Sequence, residues 1–342
     1  MMGAQVNKQW CVGARPEGKP KPSDFLYKDA PIPTPKAGEV LLETLYLGIA
    51  PVMRMYMMNS PMSNEAPLDI GDVIHGRGVA RILKSNHPDW NDGDIVQGQL
   101  GWQTHKVSKM TAQERFLRVK HHELSYAHSV RILSMTGLTA YTAFFDQGRP
   151  KAGETVLVSG AAGGVGHIVV QMAKITGCHV IGIAGGPEKC KIVKGLGADA
   201  VIDYKNEDVA AKIAELSQGK IDIYFDNVGG ETLAASLENL AYNARIILCG
   251  SISEYTRKEK FGLTNYTKMR DANATMHGYF VYNYLDQFDS CNAQLADWIK
   301  SGQMKPLIDE LVGFDKMPEA LIGVYSGTNI GTRCVKVKTD ET

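Results

Sequence analysis

Apolar and polar positions change rhythm twice along this chain. Up to about residue 125 the apolar residues alternate or form short runs: EVLLETLYLGI at 39–49, VIHGRGVARIL at 73–83 and DIVQG at 94–98. Gly, Pro, Asn and Asp crowd the gaps, a pattern of short strands joined by turns that predicts an antiparallel, barrel-like domain. Helical periodicity enters near 124–138. From Thr155 onward, β-branched runs alternate with helical ones. Strands are predicted at 155–159, 179–184, 200–203, 221–226, 245–249 and 276–282, with helices starting near His167, Pro187, Glu207 and Glu231. Strands and helices in strict alternation predict an α/β domain with a doubly wound parallel sheet. A further helix at 292–301 precedes a segment, 308–337, that ends strand-like in TRCVKV. The expected organisation is an α/β domain at 129–299 inserted in a β-rich domain made of 1–128 and 300–342.

The stretch 155–177, TVLVSGAAGGVGHIVVQMAKITG, reads as strand, glycine turn and helix. Free N–H groups and the dipole at a helix N-terminus favour a pyrophosphate there. Gly163 and Gly164 keep a Cβ from holding the phosphate away, and Gly166 lets the helix lie close on the strand. Ala161 stands at the first glycine of G-x-G-x-x-G, and Gly177 is placed to end the helix. The second strand runs into Ala184-Gly185-Gly186-Pro187-Glu188-Lys189. An NAD site carries an Asp or Glu at this tip for the ribose 2′-hydroxyl. Here the tip leaves room for a 2′-phosphate, with Lys189 one turn beyond. Glu188 could serve as a displaced ribose ligand, but Pro187 is placed to open the next helix, which favours Glu188 as a dipole partner at its N-terminus. NADP is the expected nucleotide.

Composition narrows the partners. With 342 residues, and Lys+Arg and Asp+Glu both at 37, the chain suits two domains and carries no global field toward nucleic acid or anionic membrane. No apolar run of eighteen residues and no signal-peptide core are present. Cys11, Cys178, Cys190, Cys249, Cys291 and Cys334 form no C-x-x-C pair, which fits a reducing cytoplasm rather than a disulfide framework or zinc ribbon.

Ligands of doubly wound sheets sit beyond the carboxyl ends of the strands. The loops expected there are Asp226-Asn227-Val228-Gly229-Gly230, residues 249–255 and residues 279–282. Gly229, Gly230 and Gly250 permit close backbone approach, and Asn227 offers both a donor and an acceptor. A catalytic zinc would need Cys or His in the early barrel; GIAPVMR at 48–54 has neither, and His75 stands without partners, so no metal is expected. Hydride removal from an alcohol is hard without such a metal. Reduction of an α,β-unsaturated carbonyl is easier: hydride goes to the β-carbon and an enolate forms on oxygen. That chemistry needs a hydrogen-bond donor at the oxygen. Tyr255 is the first candidate, with packing over the cofactor as its alternative role.

The motifs AAGGVG at 161–166, GGPEK at 185–189, DY at 203–204, FDNVGG at 225–230, CGSISEY at 249–255, GTNIGT at 327–332 and MTGLTAYTAFF at 135–145 resemble the zinc-independent medium-chain dehydrogenase/reductases. The branch resembled is that of prostaglandin reductases and leukotriene hydroxydehydrogenases, plant double-bond reductases and bacterial curcumin-reductase-like proteins. The resemblance spans nearly the whole chain. It implies a Rossmann domain in a GroES-like barrel and an NADPH-dependent reductase of enals and enones, usually homodimeric. It also implies that Lys189 and Tyr204 hold the 2′-phosphate and that Gly163, Gly164, Val165 and Gly166 hold the pyrophosphate. Asn227, Cys249, Gly250, Ser251, Ile252, Ser253, Tyr255, Phe280, Val281, Tyr282 and Asn329 would line the rest of the cofactor, with Tyr255 near the substrate oxygen. One departure stands out: the branch commonly carries D-P-Y-M-R where this chain has Ala50-Pro51-Val52-Met53-Arg54. Tyr56 and the Met-rich run 53–62 offer an apolar wall in its place, or simply a core cluster. An NADPH quinone reductase, or a non-catalytic NADPH-binding protein, would share the cofactor motifs.

Overall fold

A computed structural model describes residues 6–58 and 65–338. In chain order the strands are β1 (Val6–Val12), β2 (Phe25–Pro31), β3 (Val40–Gly48), β4 (Arg77–Ser85), β5 (Ile95–Gln99), β6 (His105–Ser108) and β7 (Leu117–Arg118). Then follow β8 (Thr155–Val158), β9 (His179–Ala184), β10 (Ala200–Asp203), β11 (Ile221–Asp226), β12 (Leu240–Leu248), β13 (Thr275–Gly278), β14 (Ile308–Val312) and β15 (Thr332–Lys336). Two compact units result: residues up to 131 with 308–329 and 333 onward, and residues 132–307 with 330–332.

In the first unit β1 and β2 form an antiparallel ribbon, and a second sheet runs β14-β15-β3-β4-β5-β7. Strand β3 organises that sheet. It pairs with β4 along one edge, and with β6 and then β15 along the other, so both its edges are hydrogen-bonded, and most of its side chains are buried. The register of β3 on β4 shifts between Thr44 and Tyr46. A bulge of this kind bends a sheet toward closure. The strand expected at 73–83 begins only at Arg77. Val73 and Ile74 pair back to Cys11 and Trp10 on β1 instead, and the chain turns at Gly76, where a Cβ would sit 2.6 Å from the Trp102 ring.

The second unit holds one parallel sheet in the order β10-β9-β8-β11-β12-β13, which is 3-2-1-4-5-6 within the unit. Its strands are continuous apolar runs because helices cover both faces. Leu157, Ile181, Ile183, Ile202, Tyr224 and Ile246 from the strands pack with Ile213, Leu233 and Leu237 from helices Val209–Ser217 and Gly230–Leu237. The helices expected at Glu207 and Glu231 start at Val209, capped by the Asp208 carboxylate on Ala211 N–H, and at Gly230. The helix expected at 292–301 spans Phe288–Lys300.

Two strand expectations need correction. The fifth strand starts at Leu240 rather than 245, because Leu240 pairs with Ile221 across a register shift. The sixth ends at Gly278 rather than 282. Its only partner, β12, ends opposite at Leu248; Tyr279 N–H makes the last link to Leu248, and residues Val281–Gln287 coil into a 3-10 helix.

Gly137 sits in helix Met135–Thr142 where a Cβ would meet Leu295 Cδ1 at 2.6 Å and the Ile132 carbonyl closer still. Gly137→Ala is therefore expected to destabilise this unit by about 1–3 kcal/mol through overpacking. Calorimetry of the variant should show a midpoint lower by about 2–10 °C; an unchanged midpoint would contradict the tight crossing.

Candidate functional site

The order 3-2-1-4-5-6 reverses between β8 and β11, and the crevice at such a switch point is where this fold binds ligands. The glycine turn fills one side of it. Gly160 has φ +61°, a conformation that favours glycine, and Ala161 N–H bonds Ile183 O at 2.9 Å. A Cβ on Gly166 would lie 2.9 Å from Ala161 Cα and closer to Gly160 O, so helix Gly166–Ile175 rests on the turn by its glycine. A Cβ on Gly164 would meet Thr332 Cγ2 at 3.3 Å, and one on Gly163 would meet Gly160 O at 3.1 Å. These two glycines are thus confined by protein as well as kept bare for a ligand. The turn itself spends part of its backbone: Gly163 N–H bonds Gly160 O at 2.9 Å, and His167 N–H bonds Gly163 O at 3.1 Å.

A residue the sequence reading passed over holds this turn. His167 is fully buried; Leu307 N–H donates to its Nε2 at 3.3 Å, so its Nδ1 carries the proton and donates to Gly163 O at 2.9 Å. Burial pulls its pKa from 6.5 to about 4. Gln171, one turn on, donates to His167 O and Lys305 O and accepts from Lys305 N–H. Gly331 N–H bonds Ala162 O at 2.7 Å, and Thr332 bonds Leu307 O. Buried polar side chains inside a helix that opens at a glycine turn are the signal that pointed here.

At the β9 tip, a Cβ on Gly185 would fall 2.5 Å from the Tyr204 ring, so the expected pair is brought together by the missing side chain. Pro187 opens the helix Pro187–Gly195, with Glu188 exposed in its first turn and Lys189 half-buried. The nearest acid, Asp203, is engaged: Oδ1 accepts from Gly186 N–H at 2.7 Å and Lys205 N–H at 3.1 Å, and Oδ2 from Asn206 Nδ2 at 2.7 Å. These donors hold its pKa below the usual range. An acid already bonded to backbone is a poor ribose ligand, and the tip fits a 2′-phosphate.

Across the crevice, Asn227 Nδ2 donates to Ser159 O at 2.8 Å and Asn227 N–H to Ser159 Oγ at 2.9 Å. One Nδ2 proton is spent there; the second Nδ2 proton and Oδ1 leave a donor and an acceptor for a ligand. The loop at 249–255 is fastened to the loop at 226–230. Cys249 and Gly250 N–H bond Asp226 O, Ile252 N–H bonds Asn227 O, and the Ser253 hydroxyl donates to Val228 O at 2.6 Å. Glu254 accepts from Phe261 N–H and pairs with Arg257, which also pairs with Glu231. Tyr255 sits on this loop, its hydroxyl 3.4 Å from the Ser251 N–H that donates to it. The Cys249 thiol is pushed up to about 12 by burial.

Tyr279, also unassigned by the sequence reading, stacks on Tyr284 with ring centroids 5.2 Å apart and lies 2.6 Å from the Thr142 hydroxyl. Phe280 and Tyr282 touch at 5.2 Å, with Val281 between them opening the 3-10 helix. Asn329 falls in the other compact unit, in the turn after helix Met317–Ser326. In that unit Met53 and Met57 are core residues, Arg54 donates to Gly18 O and Pro16 O, and Tyr56 packs edge-on to His75. Met62 lies outside the described residues. His75 Nε2 bonds Ala66 O. Among the described residues no three His, Cys, Asp or Glu side chains gather as metal ligands.

A parallel sheet in this order, with a glycine turn at its switch point and an acid-free second strand tip, defines a dinucleotide-dependent oxidoreductase. Residues 8–116 match the family model of an N-terminal domain of oxidoreductase, and residues 164–301 that of a zinc-binding dehydrogenase. The chain is 34% identical over 345 residues to the NADPH-dependent curcumin reductase of Escherichia coli, covering 98% of this chain and 99% of that one. It is 35% identical over 339 residues to the NADP(+)-dependent 2-alkenal reductase of Nicotiana tabacum, with 98% of each covered. The crystal structure of CurA from Vibrio vulnificus in complex with NADPH superposes with a TM-score of 0.91 at 33% identity, over 97% of this chain and 100% of that one. The chain belongs to the medium-chain dehydrogenase/reductase family, in its zinc-independent branch.

The His167 latch makes stability depend on pH in a fixed direction. Its folded pKa, about 4, lies below the unfolded 6.5, so between those values the unfolded chain binds the extra proton. Stability present above pH 6.5 is lost as pH falls toward 4, by on the order of 3 kcal/mol from this group. His167→Gln should flatten the fall in thermal midpoint across that window relative to wild type; parallel curves would contradict the latch.

Proposed function

We propose that this protein reduces the carbon–carbon double bond of α,β-unsaturated aldehydes and ketones with NADPH. The observation that carries this reading is full-length likeness, across both units, to reductases whose names specify NADPH or NADP and, in one case, 2-alkenals. The site fits the cofactor: a Cβ on Gly166 would collide with Gly160 O and push the helix off the turn, and the β9 tip offers Tyr204 over Gly185 with its neighbouring acid tied down. Bound there, NADPH supplies the hydride. Lys189 and Tyr204 would hold the 2′-phosphate, and the turn Gly163-Gly164-Val165-Gly166 would take the pyrophosphate. Asn227 would line the remainder with Cys249, Gly250, Ser251, Ile252, Ser253, Phe280, Val281, Tyr282 and Asn329. Tyr255 would donate a hydrogen bond to the carbonyl oxygen, where negative charge grows as the β-carbon receives hydride, and the enolate then takes a proton from water at its α-carbon. Segment 50–56, with Tyr56, borders the substrate. We place the enzyme in the cytoplasm as a homodimer; six unpaired cysteines fit a reducing compartment.

A panel of enals, enones and quinones, followed by NADPH absorbance and repeated with NADH, tests the reading. Enals and enones should be consumed and NADPH preferred; turnover of quinones alone would replace it with a quinone reductase, and no turnover would leave a non-catalytic nucleotide-binding protein. Lys189→Ala should raise KM for NADPH about 10- to 100-fold while leaving that for NADH nearly unchanged, since it removes a charge-assisted contact. Equal effects on both nucleotides would dismiss its phosphate role. For Tyr255→Phe, kcat should fall roughly 10- to 1,000-fold with the fold intact; a wild-type kcat would remove Tyr255 from the chemistry.

A further inference from the structure

Helix Tyr126–Arg131 ends the first segment of the barrel unit, and its last side chain lies across Gly48. A Cβ built on Gly48 would come 2.5 Å from Arg131 Cδ, so the absent side chain at 48 is what admits the arginine stem. The guanidinium beyond it has no counter-charge. Arg131 forms no salt bridge among the described residues, and its Nε is sealed from solvent with no hydrogen-bond partner. Only Nε is both sealed and unpartnered, and the residue keeps partial exposure, so the two Nη groups look onto accessible space.

The titratable groups that act on it are the Cys334 thiol, from β15, and the Tyr56 phenol, from helix Val52–Tyr56. Neither supplies negative charge near neutral pH: burial pushes the Cys334 thiol up to about 12. Desolvation lowers the Arg131 pKa to about 10, which still leaves the guanidinium charged. Two other buried arginines of this unit are differently placed. Arg54 is spent on the Gly18 and Pro16 carbonyls, and Arg333 lies 2.7 Å from the Asp309 carboxylate. A partly desolvated, unpaired guanidinium costs stability, and an apolar side chain would cover Gly48 at lower cost. The residue type is explained if an anion arrives from outside. A guanidinium presents a planar fork that matches a carboxylate in two parallel hydrogen bonds.

We propose that Arg131 anchors a carboxylate on the substrate, so that the enzyme prefers enones and enals bearing a carboxylate remote from the double bond to neutral ones. The proposal rests on the alkene-reductase reading and narrows its substrate class; Tyr56, whose phenol acts electrostatically on the guanidinium, ties the anchor to the segment assigned there to the substrate.

The test compares trans-4-phenyl-3-buten-2-one with its para-carboxylate. Wild-type kcat/KM should favour the carboxylate about 10- to 100-fold, chiefly through KM, as for a charge-assisted hydrogen bond gained on binding. Arg131→Met should bring the ratio to about one, and Arg131→Lys should restore part of it. Calorimetric titration of the NADP-loaded protein with the saturated product 4-(3-oxobutyl)benzoate reads the anchor without turnover. It should bind wild type and lose about the same factor in Arg131→Met. If neither enone is reduced but the product acid still binds through Arg131, the activity reading fails and the anchor stands. No preference in wild type, or equal losses for both substrates in Arg131→Met, would overturn the anchor. So would a thermal midpoint well below wild type in Arg131→Met with the preference retained, which would mark the arginine as structural.

Discussion

Asp226 is a buried carboxylate at the end of β11, and the loops around the crevice take their positions from it. Its Oδ1 accepts from the Ser159 hydroxyl at 3.0 Å, the Tyr224 hydroxyl at 2.7 Å, Val228 N–H at 3.0 Å and Gly229 N–H at 2.9 Å. Its carbonyl takes Cys249 and Gly250 N–H. One residue thereby fixes the end of β8, the turn into helix Gly230–Leu237 and the exit of β12. Its Oδ2 is sealed with no described partner, and burial raises the carboxyl pKa above the ordinary carboxylate value despite the four donors. Concentrating the donors on one oxygen lets three chain segments share a single acceptor. A buried acceptor left unfilled costs about 1–3 kcal/mol, so the segments hold one another in register.

The same economy separates polar atoms that build the site from those left for a ligand. Asp203 is consumed by two backbone N–H groups and the Asn206 amide, the Ser253 hydroxyl is spent on backbone, and Asn227 gives one of its two amide protons to Ser159 O. On the proposed assignment, preference for a 2′-phosphate rests on a carboxylate being withdrawn as much as on Lys189 being supplied. His167 plays the corresponding part behind the glycine turn. It is neutral, of fixed tautomer, and bridges Gly163 to Leu307 with both ring nitrogens.

Periodicity made the parallel sheet legible, because strands covered on both faces must be continuous apolar runs and the helices between them cannot be. Glycines at 160–166 and 185–186 were legible because each answers a local steric demand. Pairing was less so. Residues 276–282 look uniformly strand-like, yet β13 stops at Gly278 because its neighbour stops at Leu248. Residues 73–76 look continuous with β4 but turn aside to β1. Side-chain commitment was hidden altogether. Nothing in the word FDNVGG says that Asn227 spends one amide proton on Ser159. Arg131 carries no motif either, and its meaning emerges only when Gly48 and the missing counter-charge are seen together.

Two tyrosines offer themselves for proton work, and hydrogen-bond direction separates them. Thr142 donates its hydroxyl proton to Leu138 O at 2.8 Å, so toward Tyr279 it can only accept, and the Tyr279 proton is spent inward on Thr142. Burial also raises the Tyr279 pKa strongly, which disfavours any charge developing on its oxygen. Tyr255 is wired the other way. Its oxygen receives an N–H from Ser251, so its own proton stays available, and that incoming bond stabilises whatever negative charge its oxygen acquires as it donates. The long 3.4 Å separation leaves the ring free to adjust toward an oxygen whose charge grows only during reaction. Tyr279, stacked on Tyr284 and bonded to Thr142, is instead held in place. That difference in wiring supports the donor role proposed for Tyr255 over one for Tyr279.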